Sequence, residues 1–451
     1  MTSASTSSDP PHALFFVGHF NDIDHLVPVA YKLSKTNRGR PVIIVTENSY
    51  DISGDYRLQF MKRQFEVQVI HAFRFHPLTS VAAWLVRLLN SPLWENFLHR
   101  QRSFLFRVVR KVFYGKRWAR RILERYNPVT LVFEWASPNS GITGAFVAAG
   151  HDKGIPSISL PHGMLVYTNA LITRDEKRVG RASRDYVNLF DGAVYQSRLH
   201  ADRAIEEGVR PDIVAVLGSA RYCGEWRRIN LEIQPERFIP KKGEGCTYRA
   251  VFMLPQWPYN ADREATIRTL RRLSSEPWLH LVLKPHTREL QTNPPYLKEL
   301  NSHSNVEIVG KVGSVALIQW ADAVIVVGSS IALEVLLQGK THLDPEYLHE
   351  NTTIFQEVGA EWTVHSDEEL VSALRRLQDG QPTPYSAAQV SQAVTQLVLG
   401  GTPDVNVLER YVDYILGEWR EMSSPPARTH DAKFAVSGQP PAVPVDQGKR
   451  T

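Results

Sequence analysis

The sequence predicts an α/β protein of two doubly wound, parallel-sheet domains facing each other across a cleft. Three observations predict it. Short apolar, β-rich runs alternate with helical segments along most of the chain, the pattern of parallel sheets covered on both faces. The alternation breaks at a polar stretch near 227–248 and then restarts. The chain has 451 residues, 43% of them hydrophobic and 22% charged, enough to bury two cores.

The elements follow in order. Ala13–Gly18 reads as a buried strand, and His25–Ser34 as a helix with apolar positions at Leu26, Val29, Ala30 and Leu33. Pro41–Thr46 and Val67–His71 read as strands. A helical block covers Val81–Arg125. Val129–Phe133 and Pro156–Leu160 are strands on either side of a Gly/Ala-rich helix, Ser140–Ala149. A strand at Ala193–Gln196, a helix from Ser197 to Gly208 and a strand at Ile213–Leu217 complete the first unit. The second opens with a strand at Ala250–Leu254, a helix at Ala261–Ser274 and a strand at Leu279–Leu283. Val306–Val309, a helix near Val315–Trp320 and a strand at Ala323–Val327 follow. Helices at Ile331–Gln338, Asp367–Gln378, Ala387–Leu399 and Asp404–Arg420 end the ordered pattern. The expected organisation is a disordered start (1–11), a first domain (12–226), a linker (227–248), a second domain (249–402), a C-terminal helix (403–422) and a Pro-rich disordered tail (423–451).

Composition narrows the class. Two cysteines, Cys223 and Cys246, exclude a disulfide framework and a cysteine-rich metal site. The opening MTSASTSSDPP has neither a basic start nor an apolar core, so it does not read as a signal peptide. The expected location is cytoplasmic.

In such folds the chemistry sits in loops at the carboxyl ends of strands. Five loops carry candidates. After the first strand come Asp22, Asp24 and His25; an imidazole at a helix start suits a base, and the same residues also suit a helix cap. Glu134 directly follows a strand, placed as a base or hydroxyl acceptor, or as a cap or arginine partner. His162-Gly163 combines a tight turn with an imidazole donor. Lys284-Pro285-His286-Thr287-Arg288 puts three potential cations at a strand end, which suits a diphosphate. Gly328-Ser329-Ser330 lies between a strand and a helix, where backbone N–H groups can hold phosphate. Glu334 lies one turn further on, placed to accept ribose hydroxyls. Its spacing from Ser330 is off by one for a capping box.

These elements, in this order, resemble the GT-B glycosyltransferases of bacterial surface and capsular polysaccharide synthesis. The nearest likeness is to CDP-glycerol glycerophosphotransferases and capsule-type Kdo transferases. Leu160-Pro161-His162-Gly163 resembles their His-Gly element. Leu217-Gly218-Ser219-Ala220-Arg221 resembles the Gly-x-Pro-Arg element closing the first domain. Lys284-Pro285-His286 resembles Lys-x-His-Pro, and Ala323–Leu333 the element carrying a Ser pair. His25-Leu26-Val27-Pro28 resembles the start of other GT-B enzymes.

The resemblance implies two Rossmann-like domains and transfer of a sugar from a nucleotide-activated donor to a cell-surface polysaccharide or lipid-linked glycan. It implies no cofactor beyond the donor, and no metal. Donor contacts would come from His162, Gly163, Arg221, Lys284, His286, Gly328, Ser329, Ser330 and Glu334. His25, Asp22 or Asp24 would deprotonate the acceptor, with Glu134 in reserve and His162 reaching the donor as the cleft closes. Asp22-Ile23-Asp24 has the spacing of a metal-binding Asp-x-Asp but lies in the wrong domain for donor binding. Three competing activities are a glycerophosphotransferase using CDP-glycerol, a non-hydrolysing UDP-sugar 2-epimerase and a non-catalytic export partner. The chain lacks the epimerases' Gly-Thr-Arg-Pro-Glu opening.

The net charge of +5 is unevenly spread. Residues 81–125 carry eleven Lys and Arg against two Glu, interleaved with aromatic residues, so the remainder is slightly acidic. Apolar and cationic helices together suit an anionic membrane surface on its inner face, or a lipid-linked acceptor. They also suit ordinary packing with a solvated face. No nucleic-acid-binding motif accompanies the charge, and no nucleic acid is expected as a partner.

Overall fold

The computed structural model describes residues 9–18, 20–46, 52, 54–72, 114–134, 138, 141–161, 163, 166–168, 183–234, 237–255, 257, 261–286, 294–349 and 351–418. The first sheet contains β1 (His12–Val17), β2 (Arg40–Val45), β3 (Gln68–His71), β4 (Thr130–Glu134), β5 (Ser157–Leu160), β6 (Gly192–Tyr195) and β7 (Val214–Val216). Its strands lie in the order β3-β2-β1-β4-β5-β6-β7, all pairs parallel. The second sheet contains β8 (Tyr248–Met253), β9 (Leu279–Lys284), β10 (Val306–Ile308), β11 (Ala323–Val326), β12 (Thr341–Pro345) and β13 (Trp362–Val364). Its order is β10-β9-β8-β11-β12-β13, again parallel. Both orders reverse once. The switch points lie between β1 and β4 and between β8 and β11, where open α/β sheets bind ligands.

The apolar runs explain the strands. Ala13–Val17 and Val42–Val45 are buried on both faces, as a doubly covered sheet requires. Phe16 stacks on Phe133 at 4.3 Å between ring centres, which fixes β1 beside β4.

The first domain's helices are α1 (Phe20–Lys35), α2 (Tyr56–Phe65), α3 (Lys116–Tyr126), α4 (Gly141–His151), α5 (Arg198–Glu206) and α6 (Gly224–Glu232). The second domain adds α7 (Arg263–Ser274), α8 (Pro295–Leu300), α9 (Ser314–Trp320), α10 (Ile331–Leu337), α11 (Ile354–Glu357), α12 (Asp367–Gln378) and α13 (Ala387–Leu397). The last helix, α14 (Val407–Ile415), returns to the first domain. There Glu409 meets Lys32 at 3.3 Å and Arg38 at 2.7 Å, and the Tyr411 hydroxyl donates to the Gly218 carbonyl at 2.8 Å. Gly218 has φ +94°, and a Cβ there would lie 2.5 Å from the Val398 carbonyl, so the crossing chains need a glycine.

Several expectations change. Helix α1 begins at Phe20, five residues before the expected start at His25, so Asp22 and Asp24 are helical rather than looped. Pro28 then sits inside the helix, where its missing N–H cannot bond the Asp24 carbonyl one turn back. Helix α2 and strands β12 and β13 have no counterpart in the sequence reading. The polar stretch at 227–248 opens inside a helix, α6, rather than as plain linker. Of the basic block 81–125, only 114–125 lie within the described residues, where Lys116–Tyr126 is helical. The segments 1–8 and 419–451 also lie outside them.

Candidate active site at two switch points

The candidates of the first domain gather at its switch point. Register pairs Phe16 with Phe133, so the chain leaving β1 and the chain leaving β4 emerge side by side. Asp22, His25 and Glu134 are all buried there. Asp22 accepts from the Gly18 backbone N–H at 2.5 Å, which fixes the turn into α1.

Asp24 has two guanidinium partners. Arg221 lies 2.9 Å away, and Arg57, whose other nitrogen meets Asp55 at 2.8 Å, is in direct contact. Burial pushes the Asp24 carboxyl up, but Arg221 and Arg57 outweigh it and hold it below the ordinary value. A carboxylate so paired holds charge well and takes up a proton poorly. So paired, it suits positioning better than proton uptake.

In the second domain, Gly328-Ser329-Ser330 follows β11 at the switch point, and Lys284 ends β9, on the far side of β8. Gly328 has φ +49°, and a Cβ there would lie 2.8 Å from the Tyr167 ring. Ser330 is already in helical geometry and its side chain caps nothing, which leaves its hydroxyl out of the helix start. The Lys284 ammonium donates to the Gly310 carbonyl at 2.6 Å, and burial pushes it down from the ordinary lysine value. Half-buried His286 follows two residues later. Glu334 is 4% exposed and accepts from the Gln338 amide at 2.7 Å. Its burial raises the carboxyl, opposed by that hydrogen bond and by Arg227 and Arg221.

The two halves touch. Arg221 is within electrostatic reach of both Asp24 and Glu334, one from each domain. The Tyr222 hydroxyl donates to the Ser330 carbonyl at 3.2 Å. A strap at 166–168 crosses to the second domain: Thr168 N–H donates to Thr352 O at 3.0 Å and Ile354 N–H to Val166 O at 2.8 Å. Tyr167, between them, packs on Gly328. His162, Thr287 and Arg288 lie outside the described residues. Gly163 belongs to a cavity in the first domain, apart from the phosphate-type loops.

Sequence reasoning missed Arg57, Tyr167 and Tyr222. Arg57 gave no signal beyond Asp55 two residues earlier, a helix-cap pattern. Tyr167 lay four residues beyond Gly163, close enough to a strand-end glycine to be considered. Tyr222 lay beside the Arg221 that was noticed. Among the described residues no group of three side chains is arranged to hold a metal ion, and no helix is long and apolar enough to cross a membrane.

No family model matches the chain, and no curated protein matches it. Solved structures do. A UDP-N-acetylglucosamine 2-epimerase is 12% identical with a TM-score of 0.56, over 94% of this chain and 100% of its own. Staphylococcus aureus MnaA bound to UDP is 14% identical with a TM-score of 0.52, over 91% and 98%. The glycotransferase of kitacinnamycin is 14% identical with a TM-score of 0.52, over 92% and 100%. At such identities the likeness is one of architecture: two Rossmann-like domains that together make the GT-B fold.

Proposed function

We propose that the protein is a glycosyltransferase that moves a sugar from a uridine diphosphate donor to a cell-surface polysaccharide or lipid-linked glycan. The observation that carries this reading is the second switch point. It combines a glycine turn, two serines, Lys284 and His286 with a buried carboxylate, Glu334, one turn along α10. Lys284, His286, Ser329 and Ser330 would hold the diphosphate, Gly328 would let the backbone approach it, and Glu334 would accept ribose hydroxyls. Arg221 and Gly163 would reach the donor from the first domain, with His162 beside them.

His25 is the base in this reading, since Asp24 is held charged by two arginines. It takes the acceptor hydroxyl proton as the new C–O bond forms at the anomeric carbon. The bond from that carbon to the β-phosphate oxygen breaks, and UDP leaves with the negative charge. Fixed donors aimed at that charge are worth about 100-fold or more each. Glu134 is the reserve base. The assignment to capsule synthesis, a cytoplasmic setting and an inner-membrane contact through 81–125 belong to the same proposal.

The test is transfer or donor hydrolysis by His286→Ala and Glu334→Ala. A fall of about 100-fold in His286→Ala, with weaker UDP binding in both, is expected. Wild-type turnover in both sinks the assignment. The similar epimerase structures favour a second reading, epimerisation of a UDP-sugar. Conversion of a UDP-N-acetylhexosamine with no acceptor present would establish that activity instead.

A further inference from the structure

The cavity that Gly163 lines, partly open to solvent, lies at the carboxyl ends of β5 and β6, two strands away from the first switch point. Its walls are largely apolar, with Leu160, Pro161, Val187 and Val194 among them. Among its polar lining residues, Ser159, Arg184, His200, Arg203 and Gln196, the last stands out. Gln196, directly after β6, is 2% exposed, and neither its amide oxygen nor its amide nitrogen has a hydrogen-bond partner among the described residues. A buried amide left unpaired costs free energy that an apolar side chain of similar size would not. Such a group in a cavity at the ligand-binding end of a sheet points to a partner that arrives from outside.

The chemistry of that partner follows from the amide. Gln196 offers a donor and an acceptor side by side. The complementary group must accept and donate on adjacent atoms, as a pair of sugar hydroxyls or an acylamino group does. A simple anion does not satisfy the amide oxygen. Arg184 and Arg203 also line the cavity, but both face Glu207, at 2.5 and 3.2 Å. Their charge is partly met within the protein, and two guanidinium groups disfavour a cation. Arg203 also donates to the Tyr167 carbonyl at 2.9 Å, which ties the cavity wall to the strap that packs on Gly328.

We infer that this cavity is a binding site for a neutral glycosyl unit, held through Gln196 by adjacent hydroxyls or by an acylamino group. The cavity shares Gly163 with the proposed donor contacts but not the loops at Lys284 and Gly328–Ser330, and its test uses no nucleotide. The full-length protein without nucleotide is titrated by NMR with methyl β-D-glucoside, its 2-acetamido analogue and, as a control, cyclohexanol. Saturable binding of a sugar but not of cyclohexanol is expected. Binding of both sugars identifies a hydroxyl pair, and binding of the analogue alone an acylamino group.

Gln196→Leu should weaken the sugar about tenfold while raising the melting temperature of the empty protein by about 1–3 °C. A residue kept only for structure would lower it. Gln196→Met provides the same comparison should the leucine variant misfold. UDP binding, measured in parallel, should be unchanged in both variants, so failure of the donor reading and failure of this one are distinguishable. Absence of saturable sugar binding, or wild-type affinity in both variants, overturns the inference.

Discussion

The two switch points share one strand order and differ in chemistry. In the first, the half-buried Asp24 is met by two arginines brought from elsewhere, Arg57 from α2 and Arg221 from the domain junction. In the second, a glycine turn, hydroxyls and cationic or imidazole groups follow the strands, and Lys284 leans on a neutral carbonyl. Topology fixes where a ligand can sit, and side chains decide what it is. A closed charge network holds shape; a cationic, hydroxyl-lined loop has interactions left for a phosphate. Arg221, facing both Asp24 and Glu334, is where the two characters meet.

The sharpest way to break this contrast is to open the closed network. Arg57→Met removes the one group that bridges Asp24 and Asp55, and leaves two half-buried carboxylates short of a partner. Breaking a buried ion pair from one side typically costs about 3–5 kcal/mol. The expected outcome is a loss near the lower end of that range, about 3 kcal/mol by denaturant unfolding, because Arg221 still faces Asp24. A loss under about 1 kcal/mol would mean that the network is solvated and that the contrast fails.

A second, smaller perturbation acts on the open loop. Gly328→Ala puts a methyl group 2.8 Å from the Tyr167 ring at a φ of +49°. Backbone strain of about 1 kcal/mol follows from the left-handed geometry alone. The strap must also shift. UDP binding, followed calorimetrically, is expected to weaken about tenfold, while the unfolding midpoint falls only by the few degrees that such strain accounts for. Equal damage to both would show that the loop is structural, like the first switch point.

How far the sequence foretold this depends on where the contacts come from. Apolar strands such as Leu14–Val17 and Val42–Val45 announce themselves, and the strand-end rule then finds His25, Glu134, Lys284 and Gly328. Strand β12 stayed hidden because it buries His342 and Asp344, polar residues that make sense only beside His349 and near Glu361 from other segments. Helix α2 carries an apolar stripe, Leu58, Met61 and Phe65, at helical spacing, among Arg, Lys and Gln residues, and the sequence reading passed over it. Arg57, Tyr167 and Gln196 matter through partners, or the lack of them, that only the folded chain reveals. A buried amide without a partner leaves no trace in local sequence.

The finest distinction between the regions is the sign of their pH dependence. Asp24 is held below its ordinary value of 3.8, so the stability it contributes is present above that pH and is lost as pH falls through the lowered value. Glu334 is the reverse. Its carboxyl is raised above 4.5, so its favourable contribution is present below 4.5 and is lost as pH rises through the raised value. Glu334→Gln fixes the neutral state and keeps an oxygen for the Gln338 amide, which lies 2.7 Å from the native carboxylate. The variant and the wild type should therefore melt together near pH 4. Above that the variant should gain, reaching about 1–2 °C at pH 7, while its UDP affinity falls because a carboxylate is the better acceptor for ribose hydroxyls. Greater stability with weaker nucleotide binding is the signature of a charge kept for a ligand. Lower stability at pH 7 would place Glu334 with Asp24, among the groups that hold the fold together.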